Sequence, residues 1–287
     1  MCIIFWSTSH PKYSLILIAN RDEFLARPAL PASLHNFSTT SSDPPSSRPI
    51  LSGIDVQASG TWIGVNLSTL HFGALTNFTE NVETIQGRPS RGDFVKNWLS
   101  DGGTSVEAWL SDVEERKEPY AGFNFLFGTL NPLKLAYVTN RSGKGGRVLV
   151  QEGEMGLTNN TLDDPKCWQK TEIGLAAFKR VLEDEKEDKE LIKELWEVIS
   201  QPSIKGSTNR EEIRQTVLVP PMPFPDPYGT YATKVQTMIL LERMETKEGK
   251  RRLVFIERDG FVLDEDGNAN WSGEERNFEV EVPILTA

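Results

Sequence analysis

The chain has 287 residues and a formal net charge of −10, with 38% hydrophobic and 25% charged residues, long enough to bury a substantial core in one large domain or two small ones. An acidic balance excludes the basic footprint of a nucleic-acid binder and adhesion to anionic membranes, so the expected partner is a small ligand. Two cysteines, Cys2 and Cys167, are too few for a disulfide framework and point to a reducing compartment.

In chain order, Ile3 to Trp6 and Tyr13 to Ala19 are apolar runs too short for helices, and they read as a hairpin around a Ser7 to Lys12 turn. Antiparallel pairing would bring Asn20-Arg21-Asp22-Glu23 back beside Cys2. A small residue at position 2 favours removal of Met1, which would leave Cys2 with a free α-amine able to accept its own thiol proton. Ser38 to Pro49 lacks apolar residues and is expected to be a mobile surface loop within one domain over 1–287. Trp62 to Asn66 and Leu70 to Asn77 alternate like hairpin strands and are expected to pair with the first two. Trp62 reads as core or pocket wall. Asn66 and Asn77, at strand ends, offer amide donors suited to a developing negative charge.

Helices are predicted over Asp93 to Ser100 and around Val106, Trp109, Leu110 and Val113, the second capped by Thr104 or Ser105. Strands return at Phe123 to Phe127, Leu135 to Thr139 and Arg147 to Gln151, and Met155 to Thr158 delivers Asn159 to a turn. The glycine-rich Ser142 to Gly146 lacks phosphate-loop spacing and reads as a hairpin loop. Asp163-Asp164-Pro165 predicts a helix start, and a second helix carries Ile192, Leu195, Trp196 and Ile199. Pro220 to Pro227 predicts an irregular connection bordering the pocket. Thr230 to Leu241, Arg251 to Arg258 and Phe261 to Leu263 complete the strands of an α+β protein. No metal-ligand spacing occurs, and His10, His35 and His71 form no ligand pair. No apolar run reaches the roughly 18 residues of a membrane span, so no integral membrane segment and a cytoplasmic location are expected.

Cys2 followed by Asn20-Arg21-Asp22-Glu23 resembles the NRDE family, the transport and Golgi organisation protein 2 family. The resemblance continues through Gly60-Thr61-Trp62-Ile63-Gly64-Val65-Asn66, Ala74-Leu75-Thr76-Asn77, Ser90-Arg91-Gly92, Gly122-Phe123-Asn124, Gly156-Leu157-Thr158-Asn159 and Tyr228-Gly229-Thr230. That family is similar to the N-terminal-nucleophile hydrolases of the penicillin V acylase type. The resemblance implies a four-layer αββα sandwich, with Cys2 as nucleophile on an amide or thioester of a small apolar acyl substrate. It implies Arg21 and Asp22 beside the thiolate and α-amine, Asn159 and Asn77 at the oxyanion, and Asn20, Glu23, Trp62, Asn66 and Arg91 around the substrate. The acylases also use a late Arg, and this chain has Tyr231-Ala232-Thr233 at the matching place.

The family link is to Golgi organisation and secretion, with association to Golgi or mitochondria. The alternative reading is a non-catalytic carrier of haem or acyl lipid using the same pocket. No cofactor is required for the hydrolase. Haem as a ligand would need Cys2 or one of the three histidines on its iron.

Overall fold

In the computed structural model the described residues are 2–37, 49–80, 87–142, 145–149, 153–202, 210–225, 228–246 and 249–283. The expected Ser38 to Pro49 loop falls almost entirely outside them, as does the centre of the glycine-rich loop. The protein is a mixed α+β chain, mostly sheet, and it forms two compact units: Met1–Arg27, Glu152–Arg243 and Leu253–Val280 make the first, and Pro28–Gln151, Met244–Arg252 and Glu281–Ala287 the second.

The chain opens in the first unit with β1 (Ile3–Ser7) and β2 (Tyr13–Phe24), an antiparallel hairpin as expected. β2 runs further than its apolar stretch suggested, so Asn20 to Glu23 lie inside the strand rather than beyond it. The chain then enters the second unit through β3 (Ala29–His35), β4 (Ile50–Asp55), β5 (Ile63–Asn66) and β6 (His71–Asn77). Helices α1 (Gly92–Ser100) and α2 (Val106–Arg116) follow, then β7 (Phe123–Leu130), β8 (Leu133–Thr139) and β9 (Arg147–Leu149). Ser105 caps α2 by accepting from the Ala108 amide at 3.2 Å. Back in the first unit come β10 (Glu154–Leu157), α3 (Gln169–Leu182), α4 (Asp188–Ile199) and β11 (Met222–Phe224). The chain closes with β12 (Gly229–Glu245), β13 (Lys250–Asp259), β14 (Phe261–Leu263), β15 (Ala269–Trp271) and β16 (Glu275–Pro283).

The first unit's sheet has the order β10-β1-β2-β12-β13-β16, with β11 added to β12, and the second unit's sheet runs β3 through β9 in sequence order. β5 and β6 therefore pair with β4 and β7 and not with β1 and β2, which corrects the expected pairing. Their partners were hard to see because β3 is largely exposed and polar on one face, as an edge strand is.

β1 and β2 are buried on both faces, which is why their sequence is a continuous apolar run and not an alternation. Ile3, Phe5, Ile16 and Ile18 pack against Phe178 of α3 and Leu191, Leu195 and Ile199 of α4. Phe5 is core: its ring lies 6.0 Å from that of Phe178. In the second unit Phe94, Trp98, Val106 and Val113 of the helices pack on Phe123, Phe125 and Phe127 of β7.

Two further expectations are corrected. α3 starts at Gln169 and not at Pro165, because Asp164 closes a local turn by accepting from the Lys166 amide at 2.7 Å. Part of the proline-rich connection is ordered as β11, where an outer strand tolerates the missing N–H of Pro223.

Candidate active site at the start of the first strand

Strand register assembles this site before any side chain is considered. Ile3 lies opposite Asn20 on β2, and Ile4 lies opposite Leu157 on β10. Continuing both ladders to Cys2 sets that residue between Arg21 on one side and Asn159 on the other. All three are buried, with Cys2 7% exposed. Alternation along β2 then divides the Asn-Arg-Asp-Glu run between the faces of the sheet. Asn20 and Asp22 share the helix-packed face with Ile16 and Ile18, while Arg21 and Glu23 share the opposite face with Leu17 and Ala19.

Asp22 is fully enclosed. Its Oδ1 accepts from the Thr233 hydroxyl at 2.6 Å and its carbonyl accepts from the Tyr231 hydroxyl at 2.8 Å. Thr233 Oγ1 itself accepts from the Val219 amide at 2.8 Å, so its proton is directed to the carboxylate. Thr233 reaches this position at an irregularity in β12, between Thr233 and Val235. Gly260 packs against the same place: a Cβ there would stand 2.3 Å from the Thr233 carbonyl oxygen. Thr233 thus serves Asp22 as a hydrogen-bond donor.

The residue that the sequence did not single out is Lys170, in the first turn of α3 and 0% exposed. Its Nζ donates to the Cys2 carbonyl at 3.4 Å and lies 5.7 Å from the Trp168 ring centre, with the Arg214 guanidinium 5.1 Å from the same ring. Burial pushes the Lys170 amine below the usual lysine range, against the opposing effect of Asp22 and Cys2. Burial likewise pushes the Asp22 carboxyl up, opposed by Lys170 and by the Thr233 hydrogen bond. The two groups are both buried near the cysteine, and each opposes the effect of burial on the other. A signal was present: Lys170, Gly174, Ala177 and Phe178 fall at helical spacing on the buried stripe of α3. A lysine in a first turn also opposes the helix dipole.

The other expected residues make contacts of their own. Asn20 is a brace: its Nδ2 donates to the Ile199 and Val217 carbonyls at 2.8 and 2.9 Å, and its Oδ1 accepts from Gln236 at 2.9 Å. It thereby satisfies a carbonyl left open at the end of α4. Arg21 and Arg27 each lie 3.8 Å from Glu23, whose Oε1 accepts from the Phe24 amide.

Asn77, Asn66, Trp62 and Arg91 belong to the second unit. Asn66 is also a brace, donating to the Leu99 carbonyl at 2.8 Å and accepting from the Ser68 and Thr69 amides. Arg91 donates to the Gly122 carbonyl at 3.1 Å, and Trp62 lies across Gly53 of β4. Asn77 ends β6, half-buried.

Among the described residues no group of three or more His, Cys, Asp and Glu could hold a metal ion. The histidines carry local structure. His10 Nδ1 accepts from the Lys12 and Tyr13 amides, His35 bonds Ser52 at 2.8 Å, and His71 stacks on Trp98 with ring centres 3.8 Å apart.

Residues 1–259 match the family described as Transport and Golgi organisation 2. The chain belongs to that family, which is linked to Golgi organisation. It is 30% identical to the "Transport and Golgi organization 2 homolog" of Mus musculus over 284 residues, 93% of this chain and 95% of the relative. It is 32% identical to the "Transport and Golgi organization protein 2 homolog" of Homo sapiens over 194 residues, 64% of this chain and 65% of the relative. It is 27% identical to an uncharacterized protein of Saccharomyces cerevisiae over 93% of this chain and 94% of the relative. No helix among the described residues is long and apolar enough to cross a membrane.

Proposed function

We propose that Cys2 is a nucleophile acting on the carbonyl carbon of an amide or thioester in a small, partly apolar acyl substrate. The proposal includes the four-layer αββα architecture of the N-terminal-nucleophile hydrolases. The observation that carries it is the burial of Cys2 just before β1, its carbonyl 3.4 Å from the buried Lys170 amine, with Asp22 close enough to oppose the effect of burial on that amine. A buried thiol kept beside buried charged groups is costly as packing and useful as chemistry.

In this reading the sulfur attacks the acyl carbon, the amine or thiol leaves, and water releases the acid from a Cys2 thioester. Removal of Met1 frees an α-amine that accepts the thiol proton. Asn159 faces the oxyanion. Arg21 is held by Glu23, 3.8 Å away. The proposed setting is the cytoplasm, with association to Golgi or mitochondria, where acyl processing would serve the family's link to Golgi organisation.

The test incubates wild type and Cys2→Ala with N-acyl amides, acyl thioesters and haem, following product, covalent mass and binding. Product or adduct that requires Cys2 supports the hydrolase. Tight haem binding lost in Cys2→Ala, with no adduct or product in wild type, would instead make Cys2 a haem ligand and end the nucleophile assignment.

A further inference from the structure

We propose that Lys170 is the proton-carrying partner of Cys2, a role that rests on the reading of Cys2 as the nucleophile. The argument begins with cost. A lysine with no exposed surface pays a desolvation penalty of several kcal/mol unless it is paired, and a first-turn position sets its charge against the helix dipole. An apolar side chain would fit the stripe of Gly174, Ala177 and Phe178 without either penalty. What the amine gains is its position, donating to the Cys2 main chain at 3.4 Å while interacting electrostatically with both the Cys2 side chain and Asp22.

The groups around it come from three elements. Cys2 lies at the start of β1, Asp22 and its neighbour Glu23 on β2, and Thr233 on β12 donates to Asp22. Arg214 stands across the Trp168 ring. Asp22, fixed by Thr233, holds the amine toward the cysteine. The lowered proton affinity that burial gives Lys170 suits a group that must accept a proton and release it again.

The step balances without any added reagent. Neutral Lys170 takes the thiol proton, directly or through one water, as sulfur bonds to the acyl carbon. The bond to the leaving amine or thiol breaks, and the ammonium returns the proton to that group. Water then attacks the thioester carbon, giving one proton through Lys170 back to sulfur as the acid departs. The Cys2 α-amine can share this work only after Met1 is removed. Lys170 is available in either form of the chain, so Cys2 stays reactive when Met1 is retained.

The experiment measures iodoacetamide alkylation of Cys2 near pH 7 by mass, in a Cys167→Ser background. Lys170→Met is expected to slow alkylation at least about tenfold. Lys170→Arg keeps a cation beside the sulfur and is expected to stay within about threefold of wild type, while losing acyl-product release because a guanidinium does not give up its proton. If Lys170→Met fails to fold, Asp22→Asn with Lys170→Met is compared with Asp22→Asn alone, since the pair is then neutral, and the same slowing is expected. An unchanged rate in the folded variant overturns the proposal, as does equal slowing by Met and Arg, which marks a packing role. Alkylation needs no acyl substrate. Lys170-dependent alkylation with no acyl product in wild type therefore removes the hydrolase and keeps this role, and acyl adducts on Cys2 with alkylation indifferent to Lys170 do the reverse.

Discussion

Replacing Lys170 by Met removes one member of a buried pair and leaves the other. Asp22 is 3% exposed, and the Thr233 hydroxyl donates to its side chain, so its carboxylate would lose a cation that opposes its burial. Breaking such a pair costs about 3–5 kcal/mol, which at roughly 2–4 °C per kcal/mol lowers the melting temperature on the order of 10 °C. The loss depends on pH with a definite sign. Burial raises Asp22 above its ordinary value, so as a neutral acid it favours the fold below about pH 3.8, and that contribution is lost as pH rises through the raised folded value. The penalty in Lys170→Met is therefore largest near neutrality and shrinks as the medium is acidified. The double variant Asp22→Asn with Lys170→Met removes both charges and is expected to recover at least about 2 kcal/mol relative to the sum of the singles. Urea unfolding of the four proteins at pH 5 and pH 8 measures this. A single variant within about 0.5 kcal/mol of wild type, or singles that simply add, would refute the pairing of Asp22 with Lys170.

The remaining expectations concern the frame around that pair. Asn20→Ala removes three buried hydrogen bonds and is expected to cost about 2–4 kcal/mol while leaving alkylation of Cys2 within about twofold, because its amide serves α4 and β12. Unfolding and alkylation measured on one sample separate these roles, and a large loss of reactivity without loss of stability would return Asn20 to the site. Gly174→Ala forces a Cβ to 2.2 Å from Phe5 Cζ in a closed core and is expected to destabilise by about 1–3 kcal/mol, read by thermal unfolding. His71, stacked on Trp98, is held below its ordinary value by burial, so the stability it lends above pH 6.5 is lost as pH falls through its lower folded value. NMR titration of its ring should show a midpoint below 6.5.

The β1 and β2 hairpin was legible because a strand buried on both faces writes an unbroken apolar run, and α2 was legible because Ser105 precedes a clear helical stripe. The meeting of Cys2 with the Asn-Arg-Asp-Glu run followed from antiparallel pairing alone. What could not be read was which face each of the four would take, since the run was expected at the strand's end and instead continues its pleat. That difference assigns Asn20 to bracing α4 and Asp22 to Lys170. Lys170 itself was missed because the groups it serves lie 148 and 168 positions away in sequence, and its place on the buried stripe of α3 was the one local sign of it. The second sheet was misassigned because β3 and β4, which open it, were not read as strands in the sequence.

The most direct test of the central claim is intact mass followed by peptide mapping of wild type after brief exposure to a short-chain acyl thioester, with Cys2→Ala and Cys167→Ser alongside. Nucleophilic Cys2 predicts a transient mass increase of one acyl group on the N-terminal peptide, present in wild type and Cys167→Ser and absent in Cys2→Ala. Acylation confined to Cys167 or to surface lysines, unchanged in Cys2→Ala, would contradict it.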